Sequence, residues 1–117
     1  MGRFEAEVWK AGLLGKLASV RCINMKVQEL GKERSLTKEA MIREARIAVE
    51  KDGAEVIVPG CFGMIGFAAE MQSRLSVPVV DPAGASVRLI ETLVKLGLSQ
   101  SNLAYPCPPE KIRTFSL

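Results

Sequence analysis

No histidine occurs among the 117 residues of this chain. A catalytic triad or a Cys–His pair therefore has no imidazole base within the polypeptide. The only cysteines, Cys22, Cys61 and Cys107, lie far apart, whereas a structural zinc site takes four Cys or His ligands. The sequence consequently predicts no metal site.

Aromatic residues are scarce as well, at 5% of the chain, and they are dispersed along it. Proteins that bind single-stranded nucleic acid use aromatic side chains as stacking platforms. The net charge of +3 is small, and the lysines and arginines are scattered among acidic residues instead of forming a basic stripe. Nucleic acid is therefore not expected as a partner.

The chain also has no long apolar run. None of its apolar segments approaches the roughly 20 residues that cross a bilayer, and its first residues lack the pattern of a signal peptide. We therefore expect a cytoplasmic protein with no membrane partner. Its composition, 48% apolar and 25% charged, is typical of about one soluble globular domain.

The patterns along the chain alternate between helix and strand. Apolar periodicity and capping residues predict helices over 3–15, from Ser35 or Thr37 to Lys51, over 64–75 and from 81–82 to Leu96. Short apolar runs predict strands at 17–23, 54–58 and 77–80, with a long loop at 24–34.

This order predicts an α/β fold of three layers, in which helices cover a small parallel sheet. Residues 1–97 are expected to form this domain, and residues 98–117 are expected to form a proline-rich tail. Because the first element is a helix and the sheet has only three strands, the domain is expected to be incomplete.

Cys61 is the most informative residue, because a predicted buried strand leads directly into it and glycines flank it at Gly60 and Gly63. Glycines allow a sharp turn and a close approach of backbone N–H groups to a ligand, and a helix N-terminus carries about half a positive charge. Both effects favour a thiolate and an anionic substrate. The alternative is a buried structural cysteine, which is also our interpretation of Cys22 and Cys107.

Ligands of parallel sheets bind at the carboxyl ends of the strands. The segments 23–26, 59–63 and 81–84 follow the three predicted strands, so we expect them on one rim. Asp81 and Pro82 in the last segment, and Arg21 near the end of the first strand, are further candidates for substrate binding.

Several segments of the chain resemble one known family. The run from Glu50 to Met64 contains Gly-Cys-Phe-Gly-Met, and Ser-Val-Pro-Val-Val-Asp-Pro follows at 76–82. In this order they resemble the carboxyl-terminal half of the aspartate/glutamate/hydantoin racemases, and most nearly the hydantoin and allantoin racemase branch. The likeness extends back through 12–21 and forward to 96–98, so it covers nearly the whole chain except the tail.

The resemblance implies a cofactor-independent racemase with two similar α/β domains and one cysteine on each side of the substrate. One thiol removes the proton next to a carbonyl, and the other returns a proton to the opposite face. Cys61 matches the second cysteine of the family. Gly60, Phe62 and Gly63 match the loop whose backbone amides hold the substrate's carboxylate or ring carbonyl.

The chain departs from the family pattern in two ways. The domain that carries the first cysteine is missing, and Cys22 does not match that cysteine by motif. Phe62 stands where relatives commonly have a small or hydroxylated residue. An apolar ring at this position favours a hydantoin-like or otherwise less polar substrate over plain aspartate or glutamate.

Two interpretations stay open at this point. The chain is either half of a racemase or a catalytically silent ligand-binding remnant. As half of a racemase, it is completed in a homo-oligomer or by a complementary amino-terminal half, or it is a fragment of a longer protein. A thiol redox protein is disfavoured because the sequence has no Cys-x-x-Cys motif. The spacing of Gly60, Gly63 and Gly66 does not match a phosphate-binding loop.

Overall fold

The polypeptide is mainly helical over residues 2–111, the part of the chain that the computed structural model describes. The helices are α1 (Arg3–Lys10), α2 (Val27–Leu30), α3 (Arg34–Asp52), α4 (Ala68–Leu75) and α5 (Pro82–Lys95), with short 3₁₀ turns at Leu14–Lys16 and Phe62–Met64. Within these residues, no helix has both the length and the apolar character needed to span a membrane.

Two of the predicted helices are shorter than expected. The first ends at Lys10 instead of 15, and the third begins at Ala68 instead of 64. Gly12 and Gly66 explain both differences, because their φ angles of 71° and 80° lie in the left-handed region and interrupt a right-handed helix.

Helix α3 supplies one side of the main apolar core. The buried residues of this core are Met41, Ile42, Ala45, Phe67, Met71, Leu75 and Val79. Met41 and Ala45 on α3, like Met71 and Leu75 on α4, are four residues apart, so each pair lies on one face of its helix. The predicted stop at Gly53 is present, since this residue caps α3 with a φ of 73°.

Ion pairs join α3 to α4 beside this core. Arg74 donates two hydrogen bonds to the Glu39 carboxylate, at 2.7 and 3.3 Å, and Lys38 lies 3.0 Å from the Glu70 carboxylate. Such pairs at the protein surface contribute little to stability. The contact between the two helices therefore depends mainly on the buried apolar side chains.

The predicted three-layer arrangement is not confirmed, because residues 2–111 contain no extended sheet. Parallel pairing in this part of the chain is confined to one bridge between Ile57 and Val79. Ile57 N–H donates to the Pro78 carbonyl at 3.0 Å, and Val80 N–H donates to the Ile57 carbonyl at 2.9 Å. The predicted strands at 54–58 and 77–80 thus meet in the expected parallel sense, but over a single residue pair.

The predicted strand at 17–23 needs correction, because it forms no ladder with any described segment. A strand exists only where a neighbouring strand accepts and donates its backbone hydrogen bonds. An apolar run in the sequence favours an extended backbone, but it does not provide the neighbour. The predicted loop at 24–34 also differs, since it contains α2 and the first residue of α3.

The contacts divide the chain into two compact units, which separate between Val87 and Arg88 within α5. The first unit contains the apolar core described above. The predicted division into a domain at 1–97 and a tail at 98–117 stays a prediction, and residues 112–117 of that tail lie outside the described residues.

The second unit exposes the apolar side chains of the last turns of α5. Ile90, Leu93 and Val94 are exposed, and with Leu98 they line an open recess of about 410 Å³. Gly97, with a φ of 67°, ends the helix as its position in the sequence predicts.

Candidate functional site

Cys61 begins a tight turn that brings a backbone donor to its own sulfur. It is the N-cap of the 3₁₀ turn Phe62–Met64, and its Sγ accepts a hydrogen bond from Gly63 N–H at 3.4 Å. Met64 N–H donates to the Cys61 carbonyl at 2.9 Å, which closes the turn. The thiol at the start of the turn therefore has a backbone N–H donor within hydrogen-bond distance.

The turn provides this donor without the α-helix that the sequence predicts directly after Cys61. Helix α4 begins only at Ala68, and a three-residue turn has little of the dipole that a longer helix develops. The Gly63 N–H therefore replaces the helix N-terminus as the local source of positive charge.

The three cysteines differ in their exposure. Cys61 is half-buried, whereas Cys22 and Cys107 are exposed, and all three are free thiols. A faster reaction at Cys61 would therefore have to come from its surroundings and not from easier access.

The glycines on either side of Cys61 are each covered by a side chain from an earlier helix. A Cβ on Gly60 would lie 3.0 Å from the ring of Phe4 in α1. A Cβ on Gly63 would lie 2.9 Å from Cδ1 of Leu30, the last residue of α2. Neither position has room for a methyl group unless its neighbour moves.

Leu30 is itself held by a hydrogen bond from Thr37. Leu30 is 2% exposed and Thr37 is fully buried. The Thr37 hydroxyl donates to the Leu30 carbonyl at 3.2 Å. The first turns of α3 thus hold α2, and α2 covers the turn that carries the thiol.

Asp81 connects the end of the site segment to α5. Its carboxylate accepts hydrogen bonds from Gly66 N–H at 3.0 Å, Ala83 N–H at 3.0 Å and Gly84 N–H at 2.9 Å. These donors, the Gly66 N–H above all, lower the pKa of Asp81 below its usual range. Pro82 follows as the first residue of α5, where its missing N–H costs nothing.

The Arg21 side chain makes its hydrogen bonds outside this segment of the chain. It donates to Asp52 at 2.7 and 3.2 Å and contacts Glu44 at 3.5 Å, both on the second half of α3. Asp52 lies about 22 Å along α3 from Thr37, the residue that supports the Cys61 turn. The predicted role of Arg21 in substrate binding stays a prediction, and this placement does not favour it.

An open polar recess of about 460 Å³ lies between the start of α3 and the segment 66–70, lined in part by Arg34, Lys38 and Phe67. Arg34 stacks over the Phe67 ring at 4.4 Å and donates to the Ile65 carbonyl at 3.4 Å. Lys38 is paired with Glu70, which also lines the recess. Both cations already have partners within the fold.

The predicted site residues thus separate into two groups. The structure keeps Gly60, Cys61, Phe62 and Gly63 in one turn, and it ties the end of that segment to Asp81 through Gly66. Arg21 is not brought to this turn. The supporting residues Phe4, Leu30 and Thr37 have no signature in the sequence. Phe4 and Leu30 contact glycines that are distant in the chain, and Thr37 reaches the turn only through Leu30.

The sequence matches the Asp/Glu/hydantoin racemase family over residues 1–90. This match covers most of the chain, and the chain therefore belongs to that family.

Individual relatives agree with this assignment. The chain is 41% identical over 105 residues to the hydantoin racemase of Paenarthrobacter aurescens, which covers 89% of this chain and 44% of the relative. It is 36% identical over 100 residues to the hydantoin racemase of Pseudomonas sp. strain NS671, covering 86% of this chain and 40% of the relative.

Solved structures of racemases are also similar to this chain. The chain matches the crystal structure of allantoin racemase from Pseudomonas fluorescens with a TM-score of 0.80 and 42% identity, covering 94% of this chain and 48% of that one. For allantoin racemase from Klebsiella pneumoniae the TM-score is 0.71 at 31% identity, with coverage of 96% and 46%. The chain thus spans less than half the length of the proteins it matches.

Proposed function

We propose that this chain is the half of a cofactor-independent racemase that carries one of two cysteine proton carriers, Cys61. Membership of the racemase family and the similarity to hydantoin and allantoin racemases support this proposal. The observation that carries it is the hydrogen bond of 3.4 Å from Gly63 N–H to the Cys61 sulfur, inside the loop that matches the family motif.

The proposed reaction is a proton exchange at a carbon next to a carbonyl. The Cys61 thiolate takes the proton, the C–H bond breaks, and its electron pair moves onto the carbonyl oxygen. A thiol on the opposite face then gives a proton to the same carbon, which inverts its configuration. In the reverse direction Cys61 gives the proton, so both thiols need an ionisation close to the working pH.

Backbone N–H groups of the turn are proposed to hold the carbonyl while negative charge develops on it. Gly63 N–H is directed at the sulfur. This leaves the N–H groups of Gly60 and Phe62 as the proposed donors to the substrate. The carboxylate of Asp81 accepts three backbone hydrogen bonds, which favours a positioning role over substrate contact for Asp81 and its neighbour Pro82.

The proposed substrate is a hydantoin-like ring. Phe62 is 61% exposed beside Cys61, and an aromatic ring at this position suits an uncharged heterocycle better than the second carboxylate of aspartate or glutamate. The names of the relatives, hydantoin racemase and allantoin racemase, agree with this choice.

The proposal requires a second proton carrier, since Cys61 serves only one face of the substrate. A complementary amino-terminal half is proposed to supply it, in agreement with a chain that covers 44% of its hydantoin racemase relative. Racemisation by the chain alone would indicate instead that a second copy of the chain supplies it. We propose no cofactor and a cytoplasmic location. The alternative, a catalytically silent ligand-binding domain, keeps the same turn but lacks turnover.

Limiting iodoacetamide at neutral pH, followed by mass-spectrometric mapping of the alkylated peptides, tests the role of Cys61. We expect Cys61 to be labelled before Cys22 and Cys107, although it is the least exposed of the three. A 5-substituted hydantoin should slow the labelling of Cys61 alone, because it would occupy the turn.

The chain unfolded in denaturant is the matched control, since its three thiols should then react at similar rates. Labelling of Cys61 that is no faster than that of Cys22 in the folded protein would contradict the proposed role. Fast labelling with protection by the hydantoin, but without racemisation in any assembly, would favour the silent ligand-binding domain.

A further inference from the structure

We infer that Leu30, held in place by Thr37, is a positioning residue for the Cys61 thiol. The inference rests on the proposed function, because it concerns how the reactive form of that thiol is maintained. It assigns a role to the segment between Asn24 and Arg34, which has no part in the motif around Cys61.

The first step is the contact between α2 and the 3₁₀ turn. The Cα of Gly63 faces Leu30 so closely that a Cβ would lie 2.9 Å from Cδ1 and 3.4 Å from Cβ of that leucine. Leu30 is 2% exposed, so its side chain has little freedom to move away. The Cα of Gly63, which is bonded to the N–H donor, therefore lies against an apolar side chain.

The second step is the direction of that N–H group. It donates to the Cys61 sulfur at 3.4 Å, and the same hypothetical Cβ on Gly63 would lie 3.7 Å from the sulfur. Leu30 and the thiol thus lie close to the same α-carbon. A shift of Gly63 towards a vacant Leu30 site would lengthen or misalign the hydrogen bond, and hydrogen bonds weaken steeply as they lose alignment.

The third step is the support of Leu30 itself. Helix α2 has only four residues, which is too short to be stable by its own backbone bonds. The buried Thr37 hydroxyl donates to the Leu30 carbonyl at 3.2 Å and ties the end of α2 to α3. The 19-residue helix α3 contributes Met41, Ile42 and Ala45 to the main core, so Leu30 is tied through Thr37 to a helix that the core holds in place.

The test is the alkylation rate of Cys61 as a function of pH, measured peptide by peptide with Cys22 as the internal reference. In Leu30→Ala we expect the Cys61 rate at pH 7 to fall about three- to tenfold, as for the loss of one hydrogen bond. At high pH, where every thiol is ionised, the rate should return to the parent value. The pH profile should therefore move to higher pH.

This outcome distinguishes positioning from simple loosening. A vacated Leu30 site that merely opened the turn would make Cys61 more accessible and speed its alkylation at every pH. A rate that is unchanged or raised at pH 7 in a folded Leu30→Ala protein would therefore overturn the inference.

Two further variants separate positioning from general stability. Leu75→Ala removes an equally sized buried side chain from the main core; it should lower the melting temperature without moving the Cys61 profile. Thr37→Val should move the profile in the same direction as Leu30→Ala, and Thr37→Ser, which keeps the hydroxyl, should restore it. If Leu30→Ala fails to fold, the Thr37 pair carries the same test.

The result also separates this inference from the proposed function. If Cys61 reacts no faster than Cys22 in the parent protein, both the inference and the proposed function are contradicted. If Cys61 is reactive but its pH profile is the same in the parent, Leu30→Ala and Thr37→Val, only the inference is contradicted.

Discussion

Gly63 has no side chain where Leu30 occupies the space that a Cβ would need. The sequence alone suggests a different reason for this glycine, namely the approach of a substrate to the backbone. The two reasons are compatible, because one concerns the Cα and the other concerns the neighbouring N–H groups. The contact with Leu30 could not be predicted, since it joins residues 33 positions apart without a recognisable pattern.

The local role of Asp81 at the start of α5 can be predicted from the sequence, but its link to the site segment depends on tertiary contacts. The pair Asp81-Pro82 is predicted to open a helix, and α5 begins at Pro82, with the Asp81 carboxylate accepting hydrogen bonds from Ala83 and Gly84 N–H. The third bond, from Gly66 N–H, comes from the segment after the Cys61 turn. The sequence gives no sign of this bond, which links the site segment to α5.

The Asp81 carboxylate should make the stability of the folded chain depend on pH. Its pKa is lowered in the folded chain by the N–H donors of Gly66, Gly84 and Ala83, so the unfolded chain holds its proton up to a higher pH. The stability that Asp81 contributes is therefore present above the unfolded value of about 3.9 and is lost as the pH falls through the lower folded value.

We expect Asp81→Asn to lower the melting temperature at pH 7 and to have a progressively smaller effect below about pH 4. Thermal unfolding followed by circular dichroism from pH 7 to pH 2 measures both proteins, and the parent at each pH is the control. A difference between the two melting temperatures that stays constant over this range would contradict the assignment.

Among the elements, the helices follow from local sequence far better than the strands do. Helix α3 is predicted from Ser35 or Thr37 to Lys51 and observed at Arg34–Asp52, because its apolar face and its stop at Gly53 are local features. The predicted N-cap is wrong, since Glu33 occupies that position and Ser35 and Thr37 lie within the helix. The strand at 54–58 meets its expected neighbour only between Ile57 and Val79. Strand pairing depends on residues distant in the chain, so apolar runs alone overstate it.

Helix α5 has an exposed apolar face. Periodicity predicts an apolar stripe that includes Val87, Ile90, Leu93 and Val94, and all four side chains are exposed. Exposed apolar patches of this kind favour association between proteins. We propose that a second copy of the chain covers this face when the chain is purified alone.

Light scattering at tens of micromolar should accordingly report a dimer or a larger assembly of the purified chain. Val94→Glu should shift the distribution towards the monomer, because a charge within an apolar contact is costly unless it is paired. Arg88→Glu, which changes the charge at another exposed position of α5, is the matched control and should leave the assembly unchanged. A monomeric parent would contradict this prediction.

At the scale of the whole molecule, the family follows from the sequence, while the completed site does not. The Gly-Cys-Phe-Gly-Met motif and the Pro-Val-Val-Asp-Pro segment predict a racemase, and the match over residues 1–90 confirms the family. The chain covers 44% of its Paenarthrobacter relative and 48% of the Pseudomonas fluorescens structure. A reaction that inverts one carbon needs proton carriers on two faces, and Cys61 is proposed for one of them.

The central claim is that Cys61 supplies one half of a two-thiol racemase site. The most direct measurement is optical rotation of a single enantiomer of a 5-substituted hydantoin. It is followed with the chain alone and with the chain mixed with the part of the Paenarthrobacter aurescens hydantoin racemase that it does not match. We expect negligible change with the chain alone and loss of rotation in the mixture, abolished by Cys61→Ala and retained in Cys22→Ala. A mixture that forms a complex but leaves the rotation unchanged, or one that stays active in Cys61→Ala, would contradict the claim.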